Sequence, residues 1–251
     1  MEDALVRTRM LYGAKNLEKL SREKVAIFGI GGVGGYAAEA LTRCGIGSLV
    51  LIDHDKVALS NLNRQIIALH STLGRYKVDV MAQRIADIRP EVSVETHRCF
   101  YLPENADRFD FSDYSYVIDA VDTVAAKLEI IRRAKECGVR VISSMGAGNK
   151  TDPSMFRVAD ISQTSVCPLA RVMRRECRKR GIRDLKVVYS LQAPLHPVSG
   201  RMSAEEETES VSGKGRKDTP GSTVFAPAAA GLLLARTVVE ELISTAEEGG
   251  A

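Results

Sequence analysis

VAIFGIGGVGGYAAEALTRCGIGSLVLIDHDKVALSNLNRQ, Val25 to Gln65, decides the fold. Val25 to Phe28 is a short apolar run that reads as a buried strand. Gly29, Gly31 and Gly34, with Gly32 among them, then set G-x-G-x-x-G, and Tyr36 to Cys44 reads as a helix. Glycines at those spacings let backbone N–H groups meet a phosphate at a helix N-terminus. A second apolar run, Ser48 to Ile52, ends on Asp53, where a carboxylate accepts hydrogen bonds from a ribose. Outward from this unit the alternation continues. Val92 to Thr96, Tyr116 to Ile118 and Arg140 to Ser143 read as strands, and Lys77 to Ile88 and Val124 to Cys137 as helices. The order predicts an α/β fold with a Rossmann-like, doubly wound, mainly parallel sheet and helices on both faces. Ligands bind such sheets at the carboxyl ends of the strands, where Gly29 to Gly34, Asp53, Asp122 and Gly146 to Asn149 fall. After Asp152-Pro153 the alternation fades into an extension of mixed strands and helices. There Phe156 to Ile161 and Lys186 to Tyr189 are further strands, with a helix between them beginning near Pro168.

The run after Asp53 adds Asn61, Arg64 and Gln65, with Lys77 one segment further. A dinucleotide's pyrophosphate is held mainly by the glycine turn, whereas a triphosphate split between its first and second phosphates needs added cations on the leaving group. Arg64 and Lys77 supply them. Asp122 in VIDAVDT lies just past a strand, where a carboxylate holds Mg²⁺ against phosphate oxygens. Singly, Arg64 also reads as a surface ion-pair residue and Asp122 as a helix cap before Val124. Jointly they favour an ATP–Mg²⁺ site.

G-x-G-G-x-G, D-x-D-x-V-x-x-S-N-x-x-R-Q, a downstream lysine and D-A-x-D together resemble the adenylating domain of ubiquitin-activating enzymes and of the bacterial enzymes that activate sulfur-carrier proteins, over roughly Arg7 to Ile161. RTRMLYG, the segment from SSMGAGNKTDP to RRECRKRGI, and VVYSLQAPLHP narrow the likeness to the tRNA threonylcarbamoyladenosine dehydratases, out to about Pro197. The resemblance implies a ligase-type adenylating enzyme. It would activate the threonyl carboxylate of threonylcarbamoyladenosine, beside the anticodon, as an acyl-adenylate and close it into a ring. By the same resemblance Asp53 binds the ribose, Arg64 and Lys77 the phosphates and Asp122 Mg²⁺, while Asn61 and Gln65 orient that group. Arg7 reaches the phosphates of a neighbouring subunit, with Arg9 a competing assignment. The implied partners are tRNA carrying threonylcarbamoyladenosine, a second copy of the chain and a sulfur-relay protein. Two other readings stand beside this one: an enzyme activating the C-terminal glycine of a ubiquitin-like sulfur carrier, and a non-catalytic RNA-binding or sulfur-relay scaffold. Structural-zinc CxxC pairs of many sulfur-carrier activators are missing, and Thr123 stands where those proteins commonly carry Asn.

The chain of 251 residues is long enough to bury a core without disulfides. Its five cysteines form no CxxC pair, which points to reduced thiols in a cytoplasmic protein. MEDALVRTRM is charged where a signal peptide needs an apolar core, and Phe225 to Ala235 is too short to span a bilayer, so no stable membrane insertion is expected. A net charge of +3 identifies no partner, but cations crowd between Arg171 and Lys186. There Leu169, Val172, Met173 and Cys177 make an apolar stripe, leaving Arg171, Arg174, Arg175, Arg178 and Lys179 on other faces. Beside an adenylating domain these five are candidates for tRNA phosphates, giving affinity rather than sequence reading. Cys177, amid cations, reads either as a reactive thiolate or as a filler of the stripe. Residues 1–161 are expected to form the ATP-binding adenylating domain with an N-terminal arm. Residues 162–251 form a tRNA-binding extension, packed with it as one unit, that ends in a helix. Within the extension 199–222, rich in Gly, Ser and charge, reads as a mobile loop, either linker or lid.

Overall fold

The computed structural model describes residues 4–196 and 220–244. A single seven-stranded sheet runs through it. Strands β1 (Lys24–Phe28), β2 (Ser48–Ile52), β3 (Ser93–His97), β4 (Tyr116–Asp119), β5 (Arg140–Ser144), β6 (Phe156–Asp160) and β7 (Lys186–Ser190) stand in the order β3-β2-β1-β4-β5-β7-β6. All neighbours are parallel except β6, which pairs antiparallel with β7. The expected strands are all present, each within a residue or so of its predicted ends.

The sheet is covered on both faces because its central strands are apolar on both. Val25 and Ile27, Leu49 and Leu51, and Tyr116 and Ile118 enter one core; Ala26 and Phe28, Val50 and Ile52, and Val117 enter the other. The first core lies under α1 (Val6–Leu20), α2 (Gly34–Cys44), α3 (Lys77–Ile88) and α6 (Phe225–Ser244), the second under α4 (Val124–Glu136) and α5 (Pro168–Lys179). Strand order reverses between β1 and β4, and in open α/β sheets that switch point opens the ligand crevice.

Helices α1 and α6 cover the first core in opposite ways. The N-terminal arm is helical, and Gly13, at φ +78°, breaks α1 into two halves. Only Leu17 and Leu20 of α1 are buried, while Met10 and Leu11 stand in the open. Helix α6 lies against α2 so closely that a Cβ on Gly231 would sit 2.4 Å from the Val33 carbonyl oxygen. It is apolar over most of its surface because it crosses the core, and no helix of the described residues is long and apolar enough to cross a membrane. The stretch read as a loop, 199–222, falls outside the described residues except for its last three.

Candidate active site

The carboxyl ends of β1, β2 and β4 open on a cavity of about 600 Å³. Its lining includes Gly29, Gly31, Gly32, Asp53, Asn61, Arg64, Gln65, Lys77 and Asp122, drawn from well-separated segments of the chain. Gly34 and Arg7 are not part of the wall. Gly34 is buried beneath it, and Arg7 is exposed on the first half of α1.

The glycine turn is shaped by contact. Gly29 has φ +91°, and a Cβ there would stand 2.7 Å from the Ala120 carbonyl oxygen; one on Gly34 would stand 1.8 Å from the oxygen of Gly29. Gly31 is different: the nearest atom to a Cβ there is Gln65 Nε2 at 3.9 Å, so the missing side chain leaves space open to the cavity. Asp53 fastens this turn to β2. Its Oδ2 accepts the Ile30 N–H at 2.6 Å and its Oδ1 the Asp55 N–H at 2.8 Å.

Arg64 is half-buried with no carboxylate partner among the described residues; burial draws its pKa below the ordinary value. Its Nη1 donates to the Ser60 carbonyl at 2.9 Å and to Asn63 Oδ1 at 3.0 Å, which leaves the rest of the guanidinium for an anion. Lys77, 5% exposed, donates to Asp55 Oδ2 at 2.6 Å, and Asp55 also meets His54 Nε2 at 3.1 Å. Asn61 caps a short turn through Ala58 N–H, whereas Gln65 is buried with its Oε1 unpartnered among the described residues. An orphaned buried acceptor on a cavity wall fits a ligand donor.

Asp122 is exposed at the rim and, among the described residues, accepts only from the Thr123 hydroxyl, at 3.3 Å. Thr123, not Asp122, occupies the N-cap of α4, so the capping alternative for Asp122 is set aside. One exposed carboxylate on the rim of this cavity suits Mg²⁺, which takes one or two carboxylates and completes its shell with phosphate oxygens and water. Asp53, His54 and Asp55 also cluster with ligand atoms within 4.8 Å. Asp53 is already engaged by two backbone N–H groups and Asp55 by Lys77, so this trio fits a cation less well.

A further part of the wall comes from the end of the stretch read as linker or lid, with Pro227 beyond it. Pro220, Ser222 and Pro227 line the cavity, Pro220 beside Gly148 and Pro227 beside Gly32. They are tied in by Asn149 N–H to the Gly221 carbonyl at 2.7 Å and by Asn63 Nδ2 to the Ser222 carbonyl at 3.0 Å. Phe100 and His54 meet edge to face at the mouth, ring centroids 4.5 Å apart.

On α5 the buried positions are Ala170, Met173 and Cys177, with Leu169 and Val172 half-buried. Burial pushes the Cys177 thiol up to about 11, which favours the filler over the thiolate. Arg174 is half-buried and donates to Thr164 Oγ1 at 2.6 Å. Arg175, Lys179 and Arg180 converge on Glu176. Arg171 and Arg178 are exposed with no acidic partner among the described residues.

The ThiF family profile matches residues 5–244. The chain is 40% identical over 242 residues to a tRNA threonylcarbamoyladenosine dehydratase of Bacillus subtilis, covering 96% of this chain and 95% of that protein. It superposes on a crystal structure of the Escherichia coli tRNA N6-threonylcarbamoyladenosine dehydratase TcdA in complex with ATP, with a TM-score of 0.85 and 32% identity, across 97% of this chain and 95% of that one. The ubiquitin-like modifier-activating enzyme 5 of Drosophila persimilis is 45% identical over 96 residues, but these make only 24% of that enzyme. Matched nearly end to end by the profile and by dehydratases rather than over one segment, the chain belongs to the ThiF family, among the tRNA threonylcarbamoyladenosine dehydratases.

Proposed function

We propose that the chain catalyses the ATP-dependent dehydration of threonylcarbamoyladenosine in tRNA, next to the anticodon, with closure of a ring. The observation that carries this reading is that one cavity collects the glycine turn, Asp53, Arg64, Gln65, Lys77 and Asp122 in a chain similar to dehydratases along nearly its whole length. ATP is a co-substrate. The turn from Gly29 to Gly34 and the N-terminus of α2 receive its phosphates, Asp53 meets the ribose, and Arg64 and Lys77 neutralise the departing pyrophosphate. Asp55 holds Lys77 until a phosphate competes for it. Asp122 would hold Mg²⁺, which when bound supplies further neutralisation of the phosphate oxygens.

A carboxylate oxygen of the threonyl group bonds to the α-phosphorus as the bond to pyrophosphate breaks, giving an acyl-adenylate. The carbamoyl group then bonds to the acyl carbon, loses a proton, and expels AMP carrying that carboxylate oxygen. The substrate has lost one water. No protein nucleophile is needed; the side chains orient the reactants and balance charge.

The tRNA backbone is met by α5 in the extension 162–251, through Arg171 and Arg178 first and through Arg175 and Lys179 as they exchange Glu176 for phosphate; Arg174 contributes by holding Thr164. The side chains that act on ATP belong to 1–161, and Pro220, Ser222 and Pro227 of the extension complete their cavity. The working form is a cytoplasmic homodimer in which Arg7 completes the neighbour's site, and the exposed Met10 and Leu11 on the same half-helix support that association. A sulfur-relay protein is a further partner proposed on family grounds.

Incubation with ATP and tRNA bearing threonylcarbamoyladenosine, followed by mass spectrometry of anticodon-loop nucleosides, tests the reading. The expected product is lighter by one water and forms with AMP and pyrophosphate. AMP release driven by a sulfur-carrier protein, and not by modified tRNA, would overturn it.

A further inference from the structure

Behind the cavity, out of reach of any ligand in it, lies a fully buried ion pair. Lys127 on α4 and Asp119 at the end of β4 are both 0% exposed, with Nζ 3.0 Å from Oδ2. Lys127 Nζ also donates to Ser143 Oγ at 3.3 Å and to the Ser144 carbonyl at 2.8 Å, and the Ser143 hydroxyl donates to Asp119 Oδ2 at 2.5 Å. All three ammonium donors are thereby used.

The same residues grip the turn that carries Asp122. Asp119 Oδ1 accepts the Val121 N–H at 3.3 Å, and the Lys127 backbone N–H donates to the Thr123 carbonyl at 3.0 Å. Ala120 is pinned on its other side, its N–H donating to the Phe28 carbonyl at 2.8 Å and its own carbonyl packed under Gly29. Within this clamp only the Asp122 side chain is exposed.

Desolvating two charges costs about what their attraction returns, so an apolar pair of similar volume would hold α4 to the sheet as well. Apolar side chains would not accept the Val121 N–H or fix one turn conformation. We propose that Lys127, Asp119 and Ser143 form a positioning element that aims the Asp122 carboxylate at the phosphates and their Mg²⁺. The inference rests on the proposed role of Asp122. None of the three touches substrate or metal; they act through the turn, as the outer shell of a metal site acts through its ligands.

The test compares wild type, Asp122→Asn and the double variant Asp119→Leu/Lys127→Met. ATP binding is measured by calorimetry with and without Mg²⁺, and amide hydrogen exchange over residues 119–124 is followed in parallel. The double variant should fold and bind Mg²⁺-free ATP like wild type. The Mg²⁺ concentration that half-strengthens ATP binding should rise about tenfold to a hundredfold, and Val121 should lose exchange protection. Asp122→Asn should lose the Mg²⁺ response and keep that protection.

A folded double variant with the wild-type Mg²⁺ response overturns the inference, whether or not Val121 has loosened. If Asp122→Asn also keeps the response, the role of Asp122 falls with it; if Asp122→Asn loses it, only the positioning role falls. Should the double variant fail to fold, Ser143→Ala decides by the same two readouts, a severalfold Mg²⁺ shift with loosened Val121 supporting the inference and wild-type values overturning it.

Discussion

Glycines only three positions apart in the turn serve opposite ends. Gly34 is excluded from bearing a side chain by its own protein, since a Cβ would stand 1.8 Å from a backbone oxygen that has nowhere to go. Gly31 faces open cavity space, and on the proposed reading that space takes the phosphates. Gly34→Ala should therefore cost about 3 kcal/mol or more of stability. Gly31→Ala should cost less than about 1 kcal/mol and still weaken ATP binding about tenfold or more, roughly 1.4 kcal/mol. Thermal unfolding and calorimetry on the two variants check this, and equal loss of stability in both would mean that Gly31 too is held by packing.

At the scale of the element, α5 is basic in sequence but partly neutralised in the fold. Arg180, Lys179 and Arg175 hold the Glu176 carboxyl down to about 2, so it is ionised at any working pH and loses its charge only as pH falls towards that value. Glu176→Gln should free three cations, tighten tRNA binding and steepen its log–log salt dependence by roughly 0.7 to 0.9 for each phosphate newly neutralised. Filter binding across a salt series reads this, and a slope no steeper than wild type would remove α5 from the interface. Such cancellation is visible in sequence only as one acid among many bases. What was legible was local: the β1–α2–β2 unit, the Asp53 to Gln65 cluster and the amphipathic α5 each carry their pattern within a few turns. The helix α1 was not, because Gly13 interrupts its period and only two of its residues are buried. Pro220 and Ser222 fall in the stretch read as either linker or lid, but Pro227 and Lys127 were not legible, since Pro227 arrives from the far end of the chain and a lysine in VAAKLEII looks like a surface residue until Asp119 is placed beside it.

For the whole molecule, a homodimer with Arg7 acting across the interface makes a distinctive demand. Arg7→Ala and Asp122→Ala chains, each inactive alone, should regain up to about a quarter of wild-type turnover per site when mixed at equal amounts and allowed to exchange, since half the assemblies are hybrids with one intact site of two. No recovery despite verified exchange would place Arg7 in its own chain's site or outside any.

The seating of α6 on α2 through Gly231 also orders events in time. The glycine turn emerges early in synthesis, but Pro227, which completes the cavity wall, belongs to the last helix described and emerges roughly 10–40 s later at about 5–20 residues per second. Through that interval the nascent chain carries its glycine turn with one side of α2 bare and the Pro227 side of the cavity not yet made. A chain stalled before α6 would thus expose the apolar face of α2 in place of a completed cavity.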